Sequence, residues 1–481
     1  MRRPALPAVS ILPRALRRRS LGATWLALGL AAVLPAQRAL RSRAPQGVEA
    51  LVAAAEAAGL RVGIAARELD AATVLAAHRA REGFAPASNQ KLLTAAAALA
   101  TLGAEHRFVT RFALREGELV VVAGGDPNWL SGTEYDPKRI LHGVAKQLRD
   151  AGVGAVRGIR VEAGSFVGPD RPASWPRDQL HLDYCAPSSG LLLEGSTWTI
   201  ELAADAEGVA ARLVAPWTGY RITGALRATA DRREGGRYHV RERDEVLELD
   251  GAFWTKGSAR LVRGSSADPT GVVVRALRAA LADHGILVHP DAPPSSRELA
   301  PVATPLLPAL ERALRDSSNI DAEQILRALG AARGDASFPG SLAALREALP
   351  GLVGGALPDA LVFVDGSGLS RDNRCTPQFL VDVLAAVAAR ADGACFIAAL
   401  PRAGQDGTLE RRFRGSGLEG RVRAKTGTIN GASTLSGYLA KSGDRIVAFS
   451  ILCDTQRAGR GAPDPRQLQE QLVQALDGAG R

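Results

Sequence analysis

Ser88 and Lys91 stand three residues apart in the stretch PASNQKLLT at residues 86–94, just ahead of an alanine-rich run. A serine hydroxyl is nearly inert at neutral pH until a base takes its proton, and a lysine amine becomes such a base when burial or a nearby cation lowers its pKa. Two further groups supply what acyl transfer also needs. Ser317 and Asn319, in the order Ser-Ser-Asn, offer a hydroxyl to relay a proton to a leaving amine and an amide that bonds both Lys91 and a substrate amide. Lys425, with the hydroxyls of Thr426 and Thr428, suits a carboxylate, and Gly427 between them lets a ligand approach the backbone closely. The backbone N–H groups of Ser88 and Thr428 then make a pair of oxyanion donors. Taken singly each group is weak: a Ser and a Lys three apart recur by chance, and small polar residues between helices commonly serve as caps.

The elements around these residues fit their tasks. Pro86 suits the start of a helix and only Gly103 interrupts the Ala/Leu pattern, so a buried helix is predicted with Ser88 and Lys91 on one face. Helical patterns over 306–315 and 320–329 flank Ser317 to Asn319, which places that group on a helix–helix connection. Residues 421–428 alternate as a strand, with antiparallel partners at 436–440 and 445–452 and a closing helix at 465–476. Near the other end a helix at 48–58 precedes a hairpin of 61–67 and 73–77, which feeds the Ser88 helix. Residues 361–364 read as a short buried strand leading to a glycine-spaced loop, DGSGLSRDN, that lines a cleft. Between residues about 130 and 295 short strands and turns mix with helices at 137–151 and 271–284, and His289 to Pro305 marks a boundary.

Composition narrows the class. With 481 residues and 46% hydrophobic content the chain buries a large core in two or three domains, packed mostly by Leu, Val and Ala because aromatics are few. The net charge of +10 does not point to nucleic acid: residues 1–36 hold six arginines and no acid, and removing them leaves +4, with no basic stripe interleaved with aromatics. Those residues read as an export signal, a basic segment followed by the apolar stretch 21–36, shorter than a spanning helix requires. A faint twin-arginine pattern sits at Arg18-Arg19. The mature chain is expected to act outside the cytoplasm, periplasmic or extracellular, with no stable membrane span. Cys185, Cys375, Cys395 and Cys453 allow three disulfide pairings, none chosen by sequence, and no Cys/His spacing suggests a metal.

SxxK on a helix, SxN between helices and KTG on a strand, in that order, form the trio of penicillin-recognising serine enzymes. More of the chain resembles one family, the D-alanyl-D-alanine carboxypeptidase/endopeptidases of the S13 peptidase type, or class C low-molecular-mass penicillin-binding proteins. PASNQKLLT, GGDP at 124–127, YCAPSSG at 184–190, DGSGLSRDN at 365–373, and GQDGTLERRF running on to GRVRAKTGT at 420–428 are all similar to that family's blocks. The resemblance implies an α/β (α+β) fold: a transpeptidase/β-lactamase-like domain with an antiparallel sheet flanked by helices, interrupted by a large, mostly β insertion. The 229 residues from Ser88 to Ser317 leave room for it. The expected division is a signal at 1–36, a discontinuous catalytic domain of 48–115 plus 296–478, and an inserted region of 116–295.

The same resemblance implies hydrolysis of the terminal D-Ala-D-Ala bond of peptidoglycan stem peptides, or of cross-links between them, through an ester on Ser88. Lys91, Ser317 and Asn319 assist, while Lys425, Thr426, Gly427 and Thr428 bind substrate. β-Lactams acylate the same serine, no metal or organic cofactor is implied, and a homodimer is one possible assembly. Asp178, ahead of YCAPSSG, is the candidate contact for the free amine of a stem-peptide diamino acid. The stretch LLLEGS at 191–196 departs from the Asn-rich pattern of relatives. Two other readings use the same scaffold: a non-catalytic wall-binding or β-lactam-sensing protein, and a β-lactamase.

Overall fold

Strands from the two ends of the chain meet in one sheet because neither set can cover its own apolar faces. The computed structural model describes residues 46–205 and 208–479; the expected export signal lies outside the described residues. Five antiparallel strands run in the order Val422–Ile429, Ala432–Ala440, Ile446–Asp454, Arg61–Glu68 and Val74–His78. Arg61 pairs with Asp454 and Lys425 with Ser436, so the early hairpin and the late strands share one register.

Side chains alternate across a strand, and here both faces are covered. Val62, Ile64, Phe449 and Ile451 pack with Val52 of helix Gln46–Ala57 and Leu472 of helix Pro465–Gly478. Ala65, Ala448 and Leu452 face the opposite way, into a core built with helices Gln90–Leu102, Asn319–Ala331, Phe338–Val353 and Pro377–Ala388. The result is a mixed α/β architecture, an antiparallel sheet between helical layers.

A separate apolar cluster occupies residues between 107 and 305. Helices Pro137–Asp150 and Pro269–Asp283 start alike: an aspartate, Asp136 or Asp268, accepts a backbone N–H of the first turn and proline follows it. Their apolar faces pack with Phe112, Leu119, Val121 and Ile200 from strands and with Trp129 from a loop. Strand Arg107–Arg115 pairs with Glu118–Val122 and, returning from the far end of this region, with Val302–Pro305.

Two local expectations change, and one helix was not expected. Residues 361–364 make no strand: Val362 forms a single bridge with Arg374 and is 40% exposed. Val364 instead donates its N–H to Asn373 Oδ1 (2.8 Å), so this segment is the base of a loop. The helix expected to continue to Arg315 runs only over Leu306–Glu311, then widens into a π-type turn, Arg312–Asp316. Helix Phe338–Val353 goes unforeseen because Pro339, Gly340 and Pro350 interrupt its pattern; Pro339 lies in its first turn, after the Ser337 cap, and Pro350 in its last. All four cysteines are free thiols, and among the described residues no helix is long and apolar enough to cross a membrane.

Candidate active site

Ser88 sits on a tight 3-10 turn, Ala87–Asn89, immediately before helix Gln90–Leu102, rather than within the α-helix itself. Ala87 adopts φ +45°, a region non-glycine residues avoid, and Gly368 seats its carbonyl: a Cβ on Gly368 would lie 1.8 Å from Ala87 O. Asn89 ties the turn to the sheet. Its buried amide donates to Thr434 Oγ1 (2.8 Å) and the Lys425 carbonyl (3.1 Å) and accepts from Ser436 N (3.0 Å). Ser88 is thus clamped between a loop and two strands while its own side chain stays partly open.

One helical turn later Lys91 is almost fully buried. Its Nζ lies 3.0 Å from Ser88 Oγ, 2.7 Å from Asn319 Oδ1 and 2.8 Å from the Ser367 carbonyl. Burial lowers its pKa to about 8 against the opposing pull of Asp365 and Glu323. As an ammonium it donates three hydrogen bonds to three acceptors. As a neutral amine it has two N–H groups and one lone pair, and of its three partners only the Ser88 hydroxyl can reverse polarity and donate. Proton loss from Lys91 therefore turns it into a base aimed at Ser88.

The π-type turn delivers Ser317 in a left-handed conformation, φ +64°, and Ser318 then caps helix Asn319–Ala331 by accepting Asp321 N–H. Capping falls to the middle serine, which leaves the outer two side chains for Lys425 and Lys91. Asn319 Nδ2 donates to the Tyr184 carbonyl (2.8 Å), which fixes its Oδ1 toward Lys91. Ser317 Oγ accepts from Lys425 Nζ (2.9 Å), whose other bond goes to the Thr426 carbonyl (2.9 Å). Burial first and the charge of Lys91 second push the Lys425 pKa well down. An incoming carboxylate would relieve that penalty.

Strand Val422–Ile429 is the sheet edge beside Ser88. Ala424 donates to Pro401 O and Val422 O accepts from Ala403 N, so the even-numbered residues bond away from the neighbouring strand. The two-residue period puts the Thr428 N–H on that outer edge. Gly427 allows the close approach: a Cβ there would lie 2.2 Å from Thr434 Oγ1 and 2.9 Å from Ser88 N.

The structure therefore brings together Ser88, Lys91, Ser317, Asn319, Lys425, Thr426, Gly427 and Thr428. Asp178 stands apart, exposed on a short turn, Arg177–Gln179, with no hydrogen bond to these residues among the described ones. Its neighbour Gln179 accepts from the Tyr184 hydroxyl (2.9 Å), and the carbonyl of that tyrosine is the Asn319 partner. Sequence reasoning missed Asn89, the Ser367 carbonyl and the polar face of helix Asn319–Ala331. Glu323, Gln324 and Arg327 are all fully buried there. Gln324 holds the Gly125 and Ser189 carbonyls, and Arg327 donates to Ser188 O, Val167 O and Ala336 O between the rings of Phe166 and Phe338. These bonds explain GGDP and YCAPSSG as seams against the active-site helix. Polar residues spaced along a helix otherwise filled by Ile, Leu, Ala and Gly were the available signal.

A sequence model of the D-Ala-D-Ala carboxypeptidase 3 (S13) family matches residues 45–478. The chain is 29% identical over 444 residues to a D-alanyl-D-alanine carboxypeptidase of Actinomadura sp. (strain R39), covering 82% of this chain and 77% of the relative. It is 25% identical over 418 residues to the D-alanyl-D-alanine carboxypeptidase DacB of Haemophilus influenzae, covering 81% and 85%. The crystal structure of penicillin binding protein 4 (dacB) from Haemophilus influenzae superposes with TM-score 0.75 at 23% identity, over 89% of this chain and 99% of that one. At that identity the superposition speaks for the fold.

Proposed function

The chain belongs to the D-Ala-D-Ala carboxypeptidase 3 (S13) family and is a serine-type DD-peptidase, and we propose that Ser88 is its acylated nucleophile and Lys91 the base that activates it. The observation that carries this assignment is the set of three partners around Lys91 Nζ, of which only Ser88 can give up a proton. Ser88 Oγ attacks the carbonyl of the penultimate D-alanine as its proton passes to Lys91. The N–H groups of Ser88 and Thr428 receive the developing oxyanion, worth about 10²–10³ in rate for each such donor. Ser317 relays the proton to the departing amine, so D-alanine leaves and a Ser88 ester remains, which water then hydrolyses with Lys91 again as base.

Lys425, Ser317 and the hydroxyls of Thr426 and Thr428 hold the terminal carboxylate, and Asn319 aligns the scissile amide. A β-lactam offers a carboxylate and an amide in the same relation; its ring opens on Ser88, but the amine stays tethered and blocks the path of water. Penicillin binding protein 4 of Haemophilus influenzae has been solved in complex with a novel β-lactam, in keeping with that reading. The remaining assignments are proposals of the same kind: a catalytic domain of 48–115 plus 296–478, an inserted region of 116–295, export directed by residues 1–36, action on peptidoglycan outside the cytoplasm, and Asp178 as a contact for the stem-peptide amine. Incubating the protein with a stem pentapeptide and with a cross-linked stem dimer tests the function. Release of D-alanine from the first supports the carboxypeptidase and cleavage of the second the endopeptidase; no release from either contradicts the assignment.

A further inference from the structure

The loop whose Ser367 carbonyl holds Lys91 is itself held by a buried carboxylate that the reaction does not consume. Glu323 is fully buried, and its two oxygens accept different backbone N–H groups, Gly366 to Oε2 (2.9 Å) and Ser367 to Oε1 (2.8 Å). With a donor on each oxygen, the carboxylate is the form that satisfies both bonds. The peptide it grips ends in the Ser367 carbonyl, which is one of the three Lys91 partners. A second buried acid, Asp365, finishes the loop: it accepts from Gly368 N, Ser370 N and Asn373 Nδ2, and from Trp175 Nε1, which comes from the region between the first two motifs.

Charge is at stake as well as shape. Lys91 and Lys425 are both buried, and the charge of Lys91 disfavours the proton on Lys425. The counter-charges on Lys91 are Asp365 and Glu323, while Glu323 itself also faces Arg327. Two buried acids so close are costly, and burial and Asp365 raise the Glu323 pKa.

We propose that Glu323 is a positioning residue for Lys91: its carboxylate orients the Gly366–Ser367 peptide so that the Ser367 carbonyl holds the amine toward Ser88, and its charge sets the pH at which that amine turns into a base. The proposal rests on Lys91 acting as the base. Glu323→Gln removes the charge and presents an NH₂ to one of the two amides, donor against donor. Losing an anion near an ammonium destabilises the protonated form, so Lys91 loses its proton at lower pH.

The test is the rate of acylation by a chromogenic β-lactam across pH, in the intact protein, with circular dichroism to confirm folding. Glu323→Gln is expected to move the acid limb of the profile down by about one pH unit and to cut the limiting rate by about 10²-fold, the cost of misplacing a reacting group by about 1 Å. A slower variant whose limb stays at the wild-type pH overturns the proposal, since a structural role alone gives that result. Should Glu323→Gln not fold, Glu323→Asp decides. It keeps the charge but is one methylene too short to span both amides, so its limb should stay in place while the limiting rate drops. A wild-type limiting rate in Glu323→Asp contradicts the positioning role. A wild-type profile with no acid limb at all is a different signature and removes the Lys91 base beneath the proposal.

Discussion

In the proposed mechanism Lys91 is the residue on which the chemistry turns, because its environment gives it two jobs at different pH. Below about pH 8 the amine is protonated and supports the fold of the cleft, and above it the lone pair is free for Ser88. Acylation by a β-lactam should therefore rise with pH and level off above about 8, read from stopped-flow rates across a buffer series. Lys91→Arg keeps a cation but never yields a lone pair, so acylation should fall by about 10³-fold at every pH. Gly427 is the complementary case, a residue that acts by having no side chain. Gly427→Ala sets a methyl against Thr434 Oγ1 and Ser88 N, and the same acylation assay should show a loss of about 10²-fold with the fold intact by circular dichroism.

Among the elements, helix Asn319–Ala331 does the most positioning, with Asn319 at its start on the cleft and Glu323, Gln324 and Arg327 buried along its length. Arg327→Met leaves the carbonyls of Ser188, Val167 and Ala336 without their donor. At about 1–3 kcal/mol for a buried group left unpaired, a loss of roughly 3 kcal/mol is expected, seen as a lower urea midpoint in equilibrium unfolding. The three motifs were legible in sequence because each is a run of a few neighbouring residues: a spacing of three, a connection between helices and an alternating strand. The supports were not, because they arise only when distant segments meet. Glu323 reads as an ordinary helical glutamate until the loop at 365–373 is folded against it, and the Tyr184 carbonyl that orients Asn319 has no side-chain signature. The strand expected at 361–364 failed for the same reason: a short apolar run cannot reveal that an asparagine nine residues on will take its N–H.

For the whole molecule, the sheet that joins the chain's ends was visible as strands, but their order was not, since pairing of Arg61–Glu68 with Ile446–Asp454 spans most of the sequence. Between residues about 130 and 295 the helices expected at 137–151 and 271–284 form as Pro137–Asp150 and Pro269–Asp283, whereas the strands were legible only as a mixture with turns, because pairings such as Thr197–Asp205 with Arg260–Ser265 join distant segments. The cysteines give a prediction at this scale. Cys185, Cys375 and Cys453 are buried, and burial raises each thiol's pKa, whereas Cys395 is partly exposed. A thiol reagent should titrate one cysteine rapidly in the native protein and all four in denaturant, with or without prior reduction. The claim at the centre, that one serine is acylated and its ester is the intermediate, is tested most directly by intact mass after exposure to penicillin, followed by peptide mapping. The expected result is one adduct per chain on the peptide that contains Ser88, absent in a folded Ser88→Ala variant. An adduct that persists in Ser88→Ala, or maps to any other serine, would contradict it.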